Sequence, residues 1–201
     1  MKKNHYSSDL AVGEALKQYF ANTGFDKSSY QDETFKMTLL GRVVTLPNPW
    51  ARRQAIKIHD LNHIITGYDT DFYSESLIGA YELGSGIPFE YRAAWFFNCN
   101  STFIGLLHSP IETTKAFLAG RSNEANLYEL VAIGNEKDYE TVLQYKVGTL
   151  VQYINQKPTK KLEWDDVVDL LAYAVVGLAI VPIITLGLAI GMLCSKPSPQ
   201  K

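Results

Sequence analysis

The chain has 201 residues, which is enough for one domain with a sizeable core and a further segment. Its 19 Lys and Arg residues are balanced by 21 Asp and Glu residues, so the basic excess of a nucleic-acid-binding protein is missing. Its two cysteines, Cys99 and Cys194, exclude a disulfide-stapled scaffold and favour a reducing compartment.

The first part of the chain predicts a helix followed by an extended segment. Apolar residues at helical spacing run from Leu10 to Phe20, with Ser8 as the expected N-cap and Gly24 as the expected end. The first residues include two lysines but no continuous apolar stretch behind them, so we expect no secretory signal. Residues 35–46 are β-branched and apolar, which favours an extended conformation.

Helices dominate the prediction for the remainder. Asn48 is expected to cap a helix that Pro49 opens and Gly67 ends. Further helices are predicted over about 74–83 and 88–107, and residues 123–134 suggest a loop with one short helix. Residues 136–156 carry one continuous apolar stripe and predict a single amphipathic helix. We therefore expect an all-α helical bundle domain over residues 1–161.

The last part of the chain differs sharply in composition. Leu170 to Cys194 is a run of 25 uncharged residues, long enough to span about 30 Å of hydrocarbon as a tilted helix. We expect a C-terminal transmembrane helix over residues 166–195, with the N-terminal domain on the cytoplasmic face of a bacterial inner membrane. The alternative is the central core helix of a bundle without a membrane span.

One cluster combines four metal-capable side chains at compact spacing. His59, Asp60 and His63 fall at roughly 0°, 100° and 40° on a helical wheel, and Glu75 follows twelve residues after His63. A second helix that packs against the first would return Glu75 to the histidines. Two imidazoles with one or two carboxylates suit a divalent ion, with zinc as the first candidate and iron, manganese or cobalt as alternatives. Alternatively, these are ordinary polar residues on a half-buried helix.

Two more residues are predicted to serve this site. Glu82 comes seven residues, or about two turns, after Glu75, where it is expected to shuttle protons or to hold a ligand histidine in one tautomer. Arg52 comes seven residues before His59, where it is expected to meet an anionic group of a substrate. The alternative for both is a solvent-facing charge.

The segment LPNPWARRQAIKIHDLNHIITGYDTDFYSESLIGAYELGSGIP resembles the coenzyme Q (ubiquinone) biosynthesis family of the fourth Coq protein. The shared motif is H-D-x-x-H, eleven residues, then E, and the resemblance covers roughly residues 35–120. It implies an all-α fold on a membrane, contact with isoprenoid lipid and oxidative decarboxylation at C1 of a ring. The residues at matching positions are His59, Asp60, His63 and Glu75 as metal ligands, followed by Gly67, Glu82 and Gly86-Ile87-Pro88.

The leading hypothesis is a metal-dependent enzyme that replaces the ring carboxyl of a prenylated benzoate by hydroxyl. A second hypothesis is a non-catalytic lipid-binding scaffold that organises other quinone-biosynthesis proteins. A phosphohydrolase of the HD type is a third, but it needs a further upstream histidine, and the sequence offers only His5. A prenylated aromatic or isoprenoid lipid is the expected ligand, and a homodimer is left open.

Overall fold

A computed structural model describes residues 6–39 and 42–194 of the chain. Over these residues the protein is mostly helical, as expected for an all-α bundle, and one β-hairpin interrupts the helices. His5 lies outside the described residues. The elements in chain order are α1 (Val12–Thr23), β1 (Thr34–Leu39), β2 (Arg42–Pro47), α2 (Trp50–Thr66), α3 (Phe72–Ser85), α4 (Arg92–His108), α5 (Pro110–Arg121), α6 (Glu136–Leu143), α7 (Val147–Ile154) and α8 (Trp164–Cys194).

The predicted end of α1 at Gly24 is correct, and its predicted N-cap at Ser8 is wrong. Gly24 ends the helix with a φ of 75°, a left-handed conformation that glycine adopts without steric cost. Ser8 is not the N-cap. The helix begins after Ala11, whose neighbour Val12 donates its backbone N–H to the carbonyl of Tyr145 at 2.8 Å. A distant backbone group therefore replaces the predicted side-chain cap.

The extended segment forms an antiparallel hairpin in which Phe35 pairs with Leu46 and Met37 with Val44. The predicted cap by Asn48 is wrong, because α2 begins after Pro49 without a side-chain cap. Asn48 is fully buried and its amide donates to the carbonyls of Ser29 and Asp32 at 2.8 and 2.9 Å. It joins the loop before the hairpin to the start of α2.

Three helices that follow α2 pack at unusually short range through glycines. A Cβ atom at Gly84 of α3 would lie 2.1 Å from the carbonyl oxygen of Phe117, and one at Gly120 of α5 would lie 2.0 Å from that of Tyr81. The backbones of α3 and α5 are therefore in direct contact. Gly105 of α4 has a similar role, since its Cβ would lie 2.7 Å from Thr113 Oγ1. Such contacts are possible only where the side chain is absent.

The predicted single helix over 136–156 is wrong, because α6 and α7 are separate helices joined by residues 144–146. The apolar stripe nevertheless faces one interior, and Tyr139, Val142 and Leu150 belong to the same core cluster as α1 and α2. The predicted short helix in the preceding loop is a 3₁₀ turn over Leu127–Glu129.

The final helix, α8, is attached to the domain from its first turn. Asp166 accepts a hydrogen bond from the backbone N–H of Glu163 at 3.0 Å and lies 3.6 Å from the Arg121 guanidinium of α5. Leu170 is buried in a second hydrophobic cluster, formed by α3, α4, α5 and α8, which also contains Phe117. In the part of the chain that the structure describes, no helix combines the length and the apolarity needed to cross a membrane, so the transmembrane helix predicted over 166–195 is not found.

Candidate metal centre

The two histidines of the motif lie on one face of α2. His63 is almost fully buried and His59 is partly exposed. Their positions differ by four residues, so their rings stand one above the other, with centroids 4.7 Å apart. The Nε2 atoms of the two rings face each other at 3.1 Å.

Helix α3 supplies the carboxylate. Asp71 caps this helix by accepting from the backbone N–H groups of Tyr73 and Ser74 at 2.9 and 3.0 Å. The cap fixes the first turn, where Glu75 lies. Glu75 Oε2 is 3.3 Å from His59 Nε2, and Oε1 is 3.4 Å from His63 Nε2. The second helix therefore brings Glu75 back to the histidines as predicted.

The separations between these three groups fit a single metal ion. Ligand bonds of about 2.0–2.2 Å from zinc to nitrogen and oxygen place neighbouring ligand atoms about 3–3.5 Å apart. The observed separations of 3.1, 3.3 and 3.4 Å fall in that range. Over the described residues, His59, His63 and Glu75 are the group of three that could hold a metal ion. Two histidines and one carboxylate leave coordination positions for other ligands.

Both histidines have a second partner that orients the ring. His63 Nδ1 is 3.0 Å from the carbonyl oxygen of Tyr68, and His59 Nδ1 is 3.1 Å from Glu82 Oε1. An oxygen acceptor at Nδ1 keeps the proton there, so Nε2 is the atom that can bind a metal. Gly67 makes the first contact possible, because its φ of 71° turns the chain so that the carbonyl of Tyr68 reaches back to α2.

Glu82 is completely buried, which excludes a solvent-facing role. Its Oε1 accepts from Asn62 at 2.9 Å as well as from His59, and its Oε2 accepts from Asn98 and from the Tyr128 hydroxyl. Burial by itself raises the pKa of Glu82. The charge of His59 and the hydrogen bonds from His59, Asn98 and Asn62 outweigh burial, so the pKa lies below its ordinary value. The carboxylate is therefore ionised and held in one orientation.

The charges of His59, Glu75 and Glu82 depend on one another. Burial lowers the pKa of His59, but Glu82 and Glu75 together raise it well above its ordinary value. Burial raises the pKa of Glu75, and hydrogen bonds from His59 and His63 more than reverse this effect. When His59 is protonated, its Nε2 carries a proton that points to the place where a divalent metal ion would bind. A metal ion must therefore displace this proton.

The structure does not bring Asp60 into the group of residues that could hold a metal ion. Its Oδ2 accepts from the Tyr30 hydroxyl at 2.6 Å, and its Oδ1 accepts from the Tyr19 hydroxyl at 3.1 Å. Burial raises the pKa of Asp60, and His59 and Tyr30 offset only part of this rise. The Tyr19 ring also stacks on His63, with centroids 5.5 Å apart. Asp60 thus supports His63 through Tyr19.

A cavity of about 880 Å³ opens beside the candidate metal centre. Such a volume is typical of small-molecule sites, which measure about 300–1,000 Å³. Arg52 lines the cavity, as the prediction of a substrate contact requires, and its guanidinium donates to Asn48 at 2.8 Å and stacks on the Phe35 ring at 4.2 Å. Other lining residues include His59, Glu75, Glu82, Phe97 and Tyr128.

Sequence reasoning missed the residues that support Glu82 and Asp60. Asn98 lies on α4, and Tyr128 lies in the 3₁₀ turn after α5. Tyr19 and Tyr30 come from α1 and from the loop that follows it. No local pattern links these residues to the motif. Asn62 could have been predicted from the sequence, because it lies on α2 one residue before His63.

Comparisons with protein-family models, with curated proteins and with solved structures gave no match. The resemblance to the coenzyme Q biosynthesis family therefore stays a prediction.

Proposed function

We propose that this protein is a metal-dependent enzyme of prenylquinone biosynthesis that acts on a prenylated benzoate and replaces the C1 carboxyl of the ring by hydroxyl. The observation that carries the proposal is the convergence of His59, His63 and Glu75, with separations of 3.1–3.4 Å, beside a large cavity. The substrate class comes from the resemblance of the H-D-x-x-H motif and its following glutamate.

Zinc is the first candidate for the bound ion, with iron, manganese and cobalt as alternatives. A divalent ion at this position would polarise substrate oxygens and stabilise the negative charge that develops on the ring. Glu82 has a separate role, because it is buried against four donors and its Oε1 holds the Nδ1 proton of His59. We therefore propose Glu82 as a positioning residue and not as a proton shuttle.

Arg52 is proposed to hold the anionic group of the substrate. Its side chain lines the same cavity as His59 and Glu75, and its position is fixed by Asn48 and by the Phe35 ring. A guanidinium held in place by such contacts binds a carboxylate with defined geometry. The cavity also has apolar parts, including Phe97 and Ile56, which suit the remainder of a prenylated ring.

The proposal is tested on three proteins: wild type, His63→Ala and His108→Ala. His108 lies at the exposed end of α4 and provides a matched control for the loss of an imidazole. Metal content is measured by elemental analysis, and folding is checked by circular dichroism. We expect about one metal ion per chain in the wild type and in His108→Ala, and a loss of most of the metal in His63→Ala.

The same proteins are then incubated in air with a short-chain prenylated 4-hydroxybenzoate, and the product is followed by mass spectrometry. Wild type and His108→Ala are expected to consume O₂ as the two-electron oxidant, which is reduced to H₂O₂, and to release CO₂ as water supplies the oxygen of the new hydroxyl, while His63→Ala does none of these. Turnover that persists in a folded, metal-free His63→Ala protein would contradict the enzymatic role. A metal-loaded wild type that binds the benzoate without turnover would support the scaffold hypothesis instead.

A further inference from the structure

The side of α8 that faces away from the domain is continuously apolar. Its exposed residues recur every three or four positions and fall within about 40° of one line along the helix. Leu171, Val175 and Leu178 are 59, 67 and 55% exposed. We call this set the outer stripe of α8, and its members are Trp164, Val168, Leu171, Val175, Leu178, Pro182 and Leu186.

The opposite side of α8 is occupied by the domain. A Cβ atom at Gly177 would lie 2.3 Å from the carbonyl oxygen of Cys99, so α8 touches the backbone of α4. The Tyr173 ring packs against Trp95 and Phe117 with centroids 6.0 and 6.1 Å apart. The helix is therefore covered on one side and apolar on the other, whereas a helix at the surface of a domain normally turns a polar face to water.

We propose that the outer stripe of α8 pairs with the outer stripe of a second copy of this chain, with the two helices antiparallel. From Trp164 to Pro182 the stripe alternates spacings of four and three residues, the repeat that lets two helices interlock side chains along a seam. The members within this range are apolar, and the bulky Leu171 and Leu178 alternate with the β-branched Val168 and Val175.

The area of the stripe suits a stable dimer. Seven apolar side chains exposed by roughly half to three quarters would bury about 600–700 Å² per copy, or about 1,300 Å² in total, which is within the size range of specific interfaces. A stripe of this area is also larger than the apolar patches that monomers usually expose.

The antiparallel orientation follows from the charges at the start of α8. Glu163 and Asp165 are exposed there, and a parallel pair would bring the same acidic groups of both copies together. An antiparallel pair separates them by roughly 30–36 Å along the helices and also places opposite ends of the helix dipoles side by side. The two-fold axis would then pass near Val175, with Leu171 of one copy opposite Leu178 of the other.

The first test measures the molar mass of the full-length protein by size-exclusion chromatography with light scattering. We expect twice the chain mass of 22.5 kDa for the wild type at micromolar concentration, and the mass of a single chain for Val175→Lys. Leu107→Lys is the matched control, because Leu107 is 73% exposed on α4 and lies off the stripe. A monomeric wild type, or a Val175→Lys protein that stays dimeric, would overturn the proposal.

The second test uses cysteines in a Cys194→Ser background, where Cys99 stays buried. Val175→Cys lies at the proposed axis and should form a disulfide-linked dimer under mild oxidation. Val168→Cys should not, because its two copies would lie about 20 Å apart in the antiparallel pair. Linkage of both variants would show a parallel pair, and linkage of neither would refute the seam. Flotation of a monomeric wild type with phosphatidylcholine vesicles would identify lipid as the occupant instead.

Discussion

Removing the charge of Glu82 should weaken metal binding, and the hydrogen bonds of Glu82 determine by how much. In Glu82→Gln the amide oxygen can keep its contact with His59 Nδ1 if the amide nitrogen takes the other side, where the Tyr128 hydroxyl can accept and the Asn98 amide must flip to present its oxygen. The hydrogen bond to His59 then survives but loses its ionic character, a difference of about 1–1.5 kcal/mol. We expect roughly a tenfold rise in the Kd for the metal.

Glu82→Ala should weaken metal binding further, because His59 Nδ1 then has no acceptor. Without that acceptor the imidazole ring is no longer held in one tautomer. Loss of such an outer partner typically costs roughly 10- to 100-fold in affinity, and we expect the upper end. The assay is titration of the metal-free protein with Co²⁺, whose absorption bands also report changes in ligand geometry. Glu90→Gln is the control, since Glu90 is exposed on the turn before α4. Equal Kd values for all variants would refute the orienting role of Glu82.

Three further predictions concern Asp60, the charge of His59 and the packing of α3 against α5. Asp60→Asn should keep its metal content within twofold of wild type, because its oxygens bind tyrosine hydroxyls; metal loss in a folded variant would make Asp60 a ligand. Metal binding should release about one proton from His59 at neutral pH and should weaken as the pH falls, because the pKa of His59 is raised; calorimetry in two buffers measures the proton. Gly120→Ala should lower the thermal unfolding midpoint far more than Gly13→Ala. A Cβ atom at Gly120 would lie 2.0 Å from the Tyr81 carbonyl oxygen, whereas the nearest contact of a Cβ atom at Gly13 would be 3.3 Å away. Equal midpoints would contradict the close packing of α3 and α5.

The sequence predicted the convergence of His59, His63 and Glu75 because it depends on the spacing within one helix and on the packing of the next helix against it. Four residues separate His59 from His63, and a turn followed by a second helix returns Glu75 to them. The periodicity placed Asp60 about 100° from His59, and we predicted it as a further ligand on the same face, whereas in the structure its oxygens accept from two tyrosine hydroxyls. Which neighbour it meets is set by Tyr19 and Tyr30, which come from parts of the chain 41 and 30 residues away.

The errors in the predicted fold have two physical causes. One apolar stripe runs through both α6 and α7 because both helices face the same core, so periodicity did not reveal the break over residues 144–146. The caps predicted for Ser8 and Asn48 failed for another reason. Tertiary contacts supply the hydrogen bonds: the Tyr145 carbonyl serves the start of α1, and the Asn48 amide reaches back to the preceding loop.

Glu75, the proposed ligand, and Glu82, the proposed positioning residue, both belong to α3 and lie two turns apart. Since the helix is a stiff rod, a rotation of α3 by about 20° would move both carboxylates together by about 2 Å and disengage them from His59 at the same moment. The backbone contact of Gly84 with Phe117 and that of Gly120 with Tyr81 set this rotation. Replacing a small residue on helix α5 should therefore change the affinity of the candidate site for a metal ion, although no polar group is altered. Protein engineers could use such substitutions to adjust the affinity from a distance.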